Sequence, residues 1–228
     1  MRVLVVLTSH GQLGATDRRT GFYLSELSHV YHPLVEAGVE VTLASVEGGS
    51  PPMDGASRND PLNARFLDDP VARERLQNTI TLDSIEDLSS FDAVYFPGGH
   101  GTMWDFPTTP AVARTIRAIV EAGGTVAAVC HGPAALVGAA DADGRPLVAG
   151  RRVSGFSDAE ERAVGLDGVV PFLLESRLRE LGATIEPAPN FTAQVVEDGP
   201  LLTGQNPASA RPLAERLLAR LRASVSSR

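Results

Sequence analysis

A chain of 228 residues is long enough to bury one substantial core, and residues 1–222 read as a single domain followed by a flexible tail at 223–228. Its 20 Lys and Arg against 28 Asp and Glu leave a net charge of −8, and the basic residues are scattered, which excludes the clustered positive footprint of a nucleic-acid binder. No apolar run approaches a membrane span, the apolar start is too short for a secretory leader, and a single cysteine forms no internal disulfide, so the expected setting is the reducing cytoplasm.

Short Val-rich runs alternate with helix-like segments along the chain, the pattern of an α/β protein whose mainly parallel sheet is covered on both faces. The first strand is expected at Val3 to Thr8. A helix follows from about Gly21 to Ala37, with Thr20 as its N-cap and Gly38 as its C-cap. Strands are expected at Val39 to Val46 and at Ala93 to Phe96, the second running into Pro97-Gly98-Gly99-His100-Gly101. Between them, residues 47–89 read as an insertion rich in Pro, Asp and Asn with short helical pieces such as Val71 to Gln77. A helix from about Thr109 to Ala122 leads into a strand at Thr125 to Val129. Beyond it come a strand pair around Leu147 to Ser154, a helix from Val170 to Leu181, strands near Thr184 and Leu201, and a last helix from Ala208 to Leu221.

The run Thr125 to Val129 passes into helix formers with only Cys130-His131-Gly132-Pro133 to turn in. So tight a strand-to-helix turn at the carboxyl end of a parallel strand presents its central side chain at the sheet edge, as in the nucleophile elbow of hydrolases. Amides and dipole of the following helix are expected to favour the thiolate and lower the pKa of Cys130. His131 is the nearest base in the sequence, although adjacency alone does not bring an imidazole onto a thiol. On the first helix, Phe22, Glu26, Val30 and Leu34 succeed one another on one face. A carboxylate inside an apolar stripe is expensive unless it is paired, protonated or facing a site, and burial would raise its pKa. The Gly98-Gly99-His100-Gly101 loop can bring backbone amides close to a substrate oxygen, and it matches neither a dinucleotide fingerprint nor a P-loop. His29 and His32 stand three apart on a helix, and His10 and His100 lie near strand ends, yet no third ligand stands at a telling distance. No metal site is expected.

Taken together, Thr20-Gly21 with Glu26, the Gly98 to Thr102 loop with Trp104-Asp105, Ala128 to Pro133, Gly144 to Leu147, Gly155 to Asp158 with Glu161, and Leu202 to Ser209 resemble the ThiJ/PfpI group of the class I glutamine amidotransferase-like superfamily, in its heat-shock chaperone and glyoxalase III branch. The likeness spans almost the whole chain. It implies a flavodoxin-like three-layer sandwich, usually a homodimer, with a Cys130, His131 and Glu161 triad in which Glu161 matches the branch better than its neighbour Glu160. Glu26 would stand beside the thiol, and amides of Gly99 and His131 would line an oxyanion hole, with Gly98 and His100 contributing to substrate binding. The activity it implies is glutathione-independent and needs no metal or other cofactor: methylglyoxal and similar 2-oxoaldehydes become 2-hydroxy acids through a Cys130 hemithioacetal, the chemistry called glyoxalase III or D-lactate dehydratase. A small pocket would favour short 2-oxoaldehydes. Other readings of the same residues are a holdase chaperone, a redox-stress protein with an oxidisable Cys130, a protein deglycase, or a cysteine amidase or peptidase.

Overall fold

The computed structural model describes residues 1–226. In chain order the elements are β1 (Arg2–Leu7), β2 (Phe22–Tyr23), α1 (Leu24–Glu36), β3 (Glu40–Ser45), β4 (Met53–Asp54), α2 (Pro61–Asp68), α3 (Pro70–Gln77), β5 (Ile80–Thr81), β6 (Ala93–Phe96), α4 (Thr102–Asp105), α5 (Pro110–Glu121), β7 (Thr125–Val129), α6 (Asp158–Ala163), α7 (Leu174–Glu180), β8 (Val195–Asp198), β9 (Leu201–Gly204) and α8 (Ala210–Ser226). Seven strands form one sheet in the order β5-β3-β1-β6-β7-β9-β8. All pairings are parallel except that of β8 with β9.

Successive side chains of a strand point to opposite faces, and here both faces are covered. Val3, Val5, Leu7, Ala93, Tyr95, Ala127 and Val129 face α1, α2, α3 and α8, while Leu4, Val6, Val94, Phe96, Val126 and Ala128 face α5 and α7. That is why the central strands read as unbroken apolar runs rather than alternating ones. The outcome is the α/β three-layer sandwich expected from the sequence, and none of its helices is long and apolar enough to cross a membrane among the described residues.

Several local expectations are corrected. Helix α1 starts at Leu24, its N-cap position is Tyr23 with no side-chain cap, and Thr20 lies outside it. Phe22 and Tyr23 instead pair with Met53 and Asp54 from the insertion, which fixes the chain in extended form just before the helix. At the other end Gly38 adopts a left-handed φ of 75° directly after the cap Ala37, the position that glycine favours. The insertion carries two helices, α2 and α3, each started by an aspartate side chain, Asp60 and Asp69, that accepts from two backbone amides ahead of a proline-led first turn. No strand pair forms around Leu147 to Ser154. Leu147, Val148 and Val153 are buried in the core, but Gly150 turns the chain at a φ of 74°, and the segment has only isolated bridges, Ala140 to Pro146 and Arg152 to Thr184. The expected strand at Thr184 is that last bridge and no more. Helix α7 begins at Leu174 rather than Val170, and edge strand β8 has no counterpart among the expected elements. Helix α8 continues through Ser226, so it takes in 223–226 of the expected tail; residues 227–228 lie outside the described residues.

Candidate active site

Three segments converge at the carboxyl ends of adjacent strands, where open α/β sheets place their ligands. β6 ends in Gly98-Gly99-His100, β7 ends in Cys130-His131, and α1 brings Glu26 across from the far side. Cys130 takes a left-handed φ of 59°, one of two non-glycine residues to do so among the described residues. Such a conformation costs roughly 1–2 kcal/mol for an L-residue. Two ladder-like bonds impose it: the Cys130 amide donates to Gly204 O at 3.0 Å, and the Phe156 amide donates to Cys130 O at 2.8 Å. The turn then folds so tightly that a Cβ on Gly132 would lie 2.1 Å from Phe96 O, so only glycine fits there. From Gly132 to Leu136 the chain forms a 3-10 turn rather than an α-helix.

Cys130 is 4% exposed. His131 Nδ1 lies 3.4 Å from its sulfur, and His131 Nε2 lies 2.6 Å from Glu161 Oε2. The other oxygen of Glu161 meets His100 Nε2 at 2.8 Å, and the two imidazole rings are 4.1 Å apart between centroids. Glu26 is fully buried. Its Oε2 accepts from the Gly98 amide at 2.6 Å, and Tyr95 donates its hydroxyl to the Glu26 carbonyl at 2.8 Å, which pins that turn of α1. Glu26 Oε1 has no well-directed hydrogen bond, and the Glu26 carboxyl and the Cys130 thiol shift one another's titration. Glu160, by contrast, turns away from His131. Its Oε2 accepts from the Ser157 amide and hydroxyl, its Oε1 from the Phe191 amide and Asn206 Nδ2. A cavity of about 370 Å³ opens over the thiol, lined by Glu26, Gly99, His100 and His131, by the charged Arg18 and Asp54, and by an apolar set that includes Leu13, Phe156, Leu166 and Phe191.

The sequence also matches the model of the DJ-1/PfpI family over residues 19–220. The chain belongs to the DJ-1/PfpI family. It is similar to Glyoxalase 3 of Candida albicans, 31% identical over 230 residues that take in 96% of this chain and 98% of the relative. It is equally similar to glutathione-independent glyoxalase HSP31 of Saccharomyces cerevisiae, 31% identical over 94% of this chain and 95% of the relative. Among solved structures, Rapid Encystment Protein 24 KDa of Francisella tularensis superposes with a TM-score of 0.91 at 37% identity, covering 95% of this chain and 96% of that one. Glyoxalase III from Candida albicans superposes with a TM-score of 0.87 at 28% identity over 96% of both chains.

Within this DJ-1/PfpI site the electrostatics depart from the sequence expectation at one point. Burial pushes the Cys130 thiol well above its usual range, and the Glu26 carboxylate adds to the rise, while a hydrogen bond from the His131 backbone works the other way. The expected lowering fails because burial disfavours the thiolate and the turn after Cys130 is too short to supply a strong dipole against it. Burial likewise raises Glu26 to about 8, against hydrogen bonds from Cys130 and Gly98 that lower it. His131 is lowered to about 4, first by burial and then by His100. Burial would raise Glu161, but hydrogen bonds from His100 and His131 outweigh it and hold the carboxyl down at about 2. At neutral pH the site therefore holds a neutral thiol, a protonated Glu26, and a neutral His131 that donates Nε2–H to an ionised Glu161. That tautomer leaves the Nδ1 lone pair facing sulfur.

The raised Glu26 fixes a sign. A carboxyl whose folded pKa is about 8 rather than 4.5 binds its proton more tightly when folded, so its contribution to stability is complete below about pH 4.5 and is lost as pH rises through 8. Glu26→Gln, neutral at every pH, is expected to raise the melting temperature by several degrees at pH 8.5 and hardly at all at pH 5; calorimetry at the two values reads the difference, and an equal shift at both would refute the assignment.

The structure brings together Cys130, His131, Glu161, Glu26, Gly99 and His100, and corrects one expectation around them. The Gly98 amide, expected at the substrate, is donated to Glu26 instead; a Cβ at Gly98 would lie 2.7 Å from that carboxylate, so the glycine is there to admit it. His100 lies in the cavity lining and is bonded through Nε2 to Glu161, a partnership that no spacing in the sequence announces. His29 and His32 anchor the insertion to α1, His29 against Asp60 at 2.6 Å and His32 donating to Leu62 O at 3.1 Å. His10 stacks on Trp104. Among the described residues, His100, His131 and Glu161 are the set whose ligand atoms, all within 4.8 Å of one another, could hold a metal ion. Both ring nitrogens sit at hydrogen-bonding distance from the carboxylate, an arrangement that needs only a proton on each imidazole.

Proposed function

We propose that the protein is a glutathione-independent glyoxalase that converts 2-oxoaldehydes to 2-hydroxy acids, with Cys130 as nucleophile, His131 as the base that moves the carbon-bound proton, Glu161 as the group that orients it, and Glu26 as the carrier of the thiol proton. The observation that supports it best is the pairing of a protonatable Glu26 with the thiol on one side and a bare His131 Nδ1 at 3.4 Å on the other. Similarity to two fungal glyoxalases over nearly the whole chain supports the same reading.

The sulfur attacks the aldehyde carbon, and the thiol proton passes by way of Glu26 to the aldehyde oxygen, giving a hemithioacetal. A thiol with a raised pKa suits this step, because its proton has to reach the new hydroxyl in any case. His131 Nδ1 then removes the hydrogen from the carbon that bears sulfur, and the electron pair moves onto the neighbouring carbonyl to form an enediolate. The Gly99 amide, which has no protein acceptor among the described residues, stands at the cavity and can bind the oxygen that gains charge. Return of the proton to the second carbon, with the hydroxyl proton moving from the first oxygen to the second, gives a 2-hydroxyacyl thioester. Water cleaves its carbon–sulfur bond, so that aldehyde and one water yield the hydroxy acid and the free thiol. As the imidazole gains charge, Glu161 is already ionised opposite it.

Incubated with methylglyoxal in the presence of chelator and without glutathione, the purified protein is expected to release lactate in an amount equal to the aldehyde consumed. Aldehyde loss without lactate would defeat the proposal. A lone reduced thiol suits the cytoplasm, and that location, like a homodimeric state, belongs to the proposal.

A further inference from the structure

We infer that the site is shaped for 2-oxoaldehydes whose keto carbon carries an apolar group of aromatic size, and that Phe191 is the specificity-determining residue that meets it; the inference rests on the glyoxalase reading above. A cavity of about 370 Å³ falls in the range that encloses drug-sized ligands, roughly 300–1,000 Å³. Methylglyoxal, with a single methyl beyond its two carbonyls, leaves most of it to water. The reacting groups take up only part of the lining. From there an aromatic wall runs outward: the Phe156 ring is 4.4 Å from His131, and the Phe191 ring is 6.4 Å from Phe156. With an aldehyde bonded to Cys130, the substituent on its keto carbon is the part of the substrate left to occupy this space.

Phe191 is held at the mouth at a cost in free energy. It is 50% exposed, so its ring gains little from burial, and its φ of 60° is a strained conformation for a bulky L-residue. The restraint comes from the fully buried Glu160, whose Oε1 accepts the Phe191 amide at 2.7 Å. That oxygen also accepts Asn206 Nδ2 at 2.8 Å, and the same Asn206 nitrogen donates to Thr192 O at 2.7 Å, so the two residues grip the loop from both sides of Phe191. Adjacent carboxylates thus divide the work: Glu161 meets the histidines and Glu160 aims the ring. A planar arene entering beside Phe156 and Phe191 would meet aromatic faces along its length.

The test is steady-state kinetics with phenylglyoxal and methylglyoxal side by side, reading mandelate and lactate. The wild type is expected to favour phenylglyoxal in kcat/KM by about tenfold or more. Phe191→Gly, which relieves the strained φ while removing the ring, is expected to lower that preference about tenfold through KM for phenylglyoxal, and Phe191→Tyr is expected to keep it. A preference unmoved by Phe191→Gly, with both aldehydes still converted, overturns this inference and leaves the glyoxalase reading standing. No hydroxy acid from either aldehyde overturns both. Dissociation of a dimer by Phe191→Gly in light scattering, with the preference unmoved, makes the ring an interface residue and likewise overturns the inference.

Discussion

Replacement of Cys130 by serine is expected to lower kcat/KM for methylglyoxal by about 10³-fold or more, with the melting temperature nearly unchanged. Serine has the same shape and, like the native thiol with its raised pKa, is neutral in this buried position, so the fold loses little. The chemistry loses its nucleophile. An alcohol holds its proton far more tightly than a thiol, and the groups in reach cannot remove it: His131 is lowered to about 4, and Glu26, raised to about 8, already carries a proton at neutral pH. Mass spectrometry of the wild type quenched with excess methylglyoxal should show a single covalent adduct on the peptide containing Cys130, and none in Cys130→Ser. Turnover that survives the substitution would mean that Glu26 and His131 act on an aldehyde that is never bonded to the protein.

For Glu161→Gln the expected loss is about 10²–10⁴-fold in kcat, with KM little changed. The carboxylate now accepts from two imidazoles at once, at 2.6 and 2.8 Å. A glutamine offers one acceptor and one donor, so at least one of His100 and His131 must turn a bare nitrogen toward it. When His131 does so, its proton moves to Nδ1 and faces sulfur, and the base is lost. Glu160→Gln has a different signature. It weakens the bonds from Ser157, Phe191 and Asn206, so thermal stability falls, while the loss of rate on methylglyoxal is much smaller. The reverse ranking of the two variants would exchange the roles of the carboxylates.

Fold and site are legible in the sequence wherever local pattern and burial agree. The run Thr125 to Val129 has no polar alternation because both faces of β7 are packed, and that same continuity places Cys130 at a strand end. Glu26 stands out because its helix face is otherwise apolar, and it is fully buried. The choice between Glu160 and Glu161 rests on resemblance, although a local signal is present: Ser157 with Glu160 three residues later is the spacing of a capping box, and a glutamate engaged in that box is the one turned away from His131. Other features had no local signature. The bond from His100 to Glu161 joins residues 61 apart in sequence. Leu147 to Ser154 looked like strands because several of its residues are buried, and burial without a ladder partner is indistinguishable from a strand at that length. The direction of the thiol shift depended on the length of the turn after Cys130, which Pro133 and two alanines leave open to either helical form.

The burial that keeps Cys130 protonated also decides what else can react with it. Peroxide and soft alkylating agents are attacked by thiolate rather than thiol, and at 4% exposure with Glu26 beside it the sulfur presents little of either form to them. An aldehyde differs because its oxygen becomes a proton acceptor as the carbon–sulfur bond forms, so the electrophile completes the deprotonation that the protein withholds. The same arrangement therefore favours electrophiles that take up a proton as they bond to sulfur, and a carbonyl is such an electrophile.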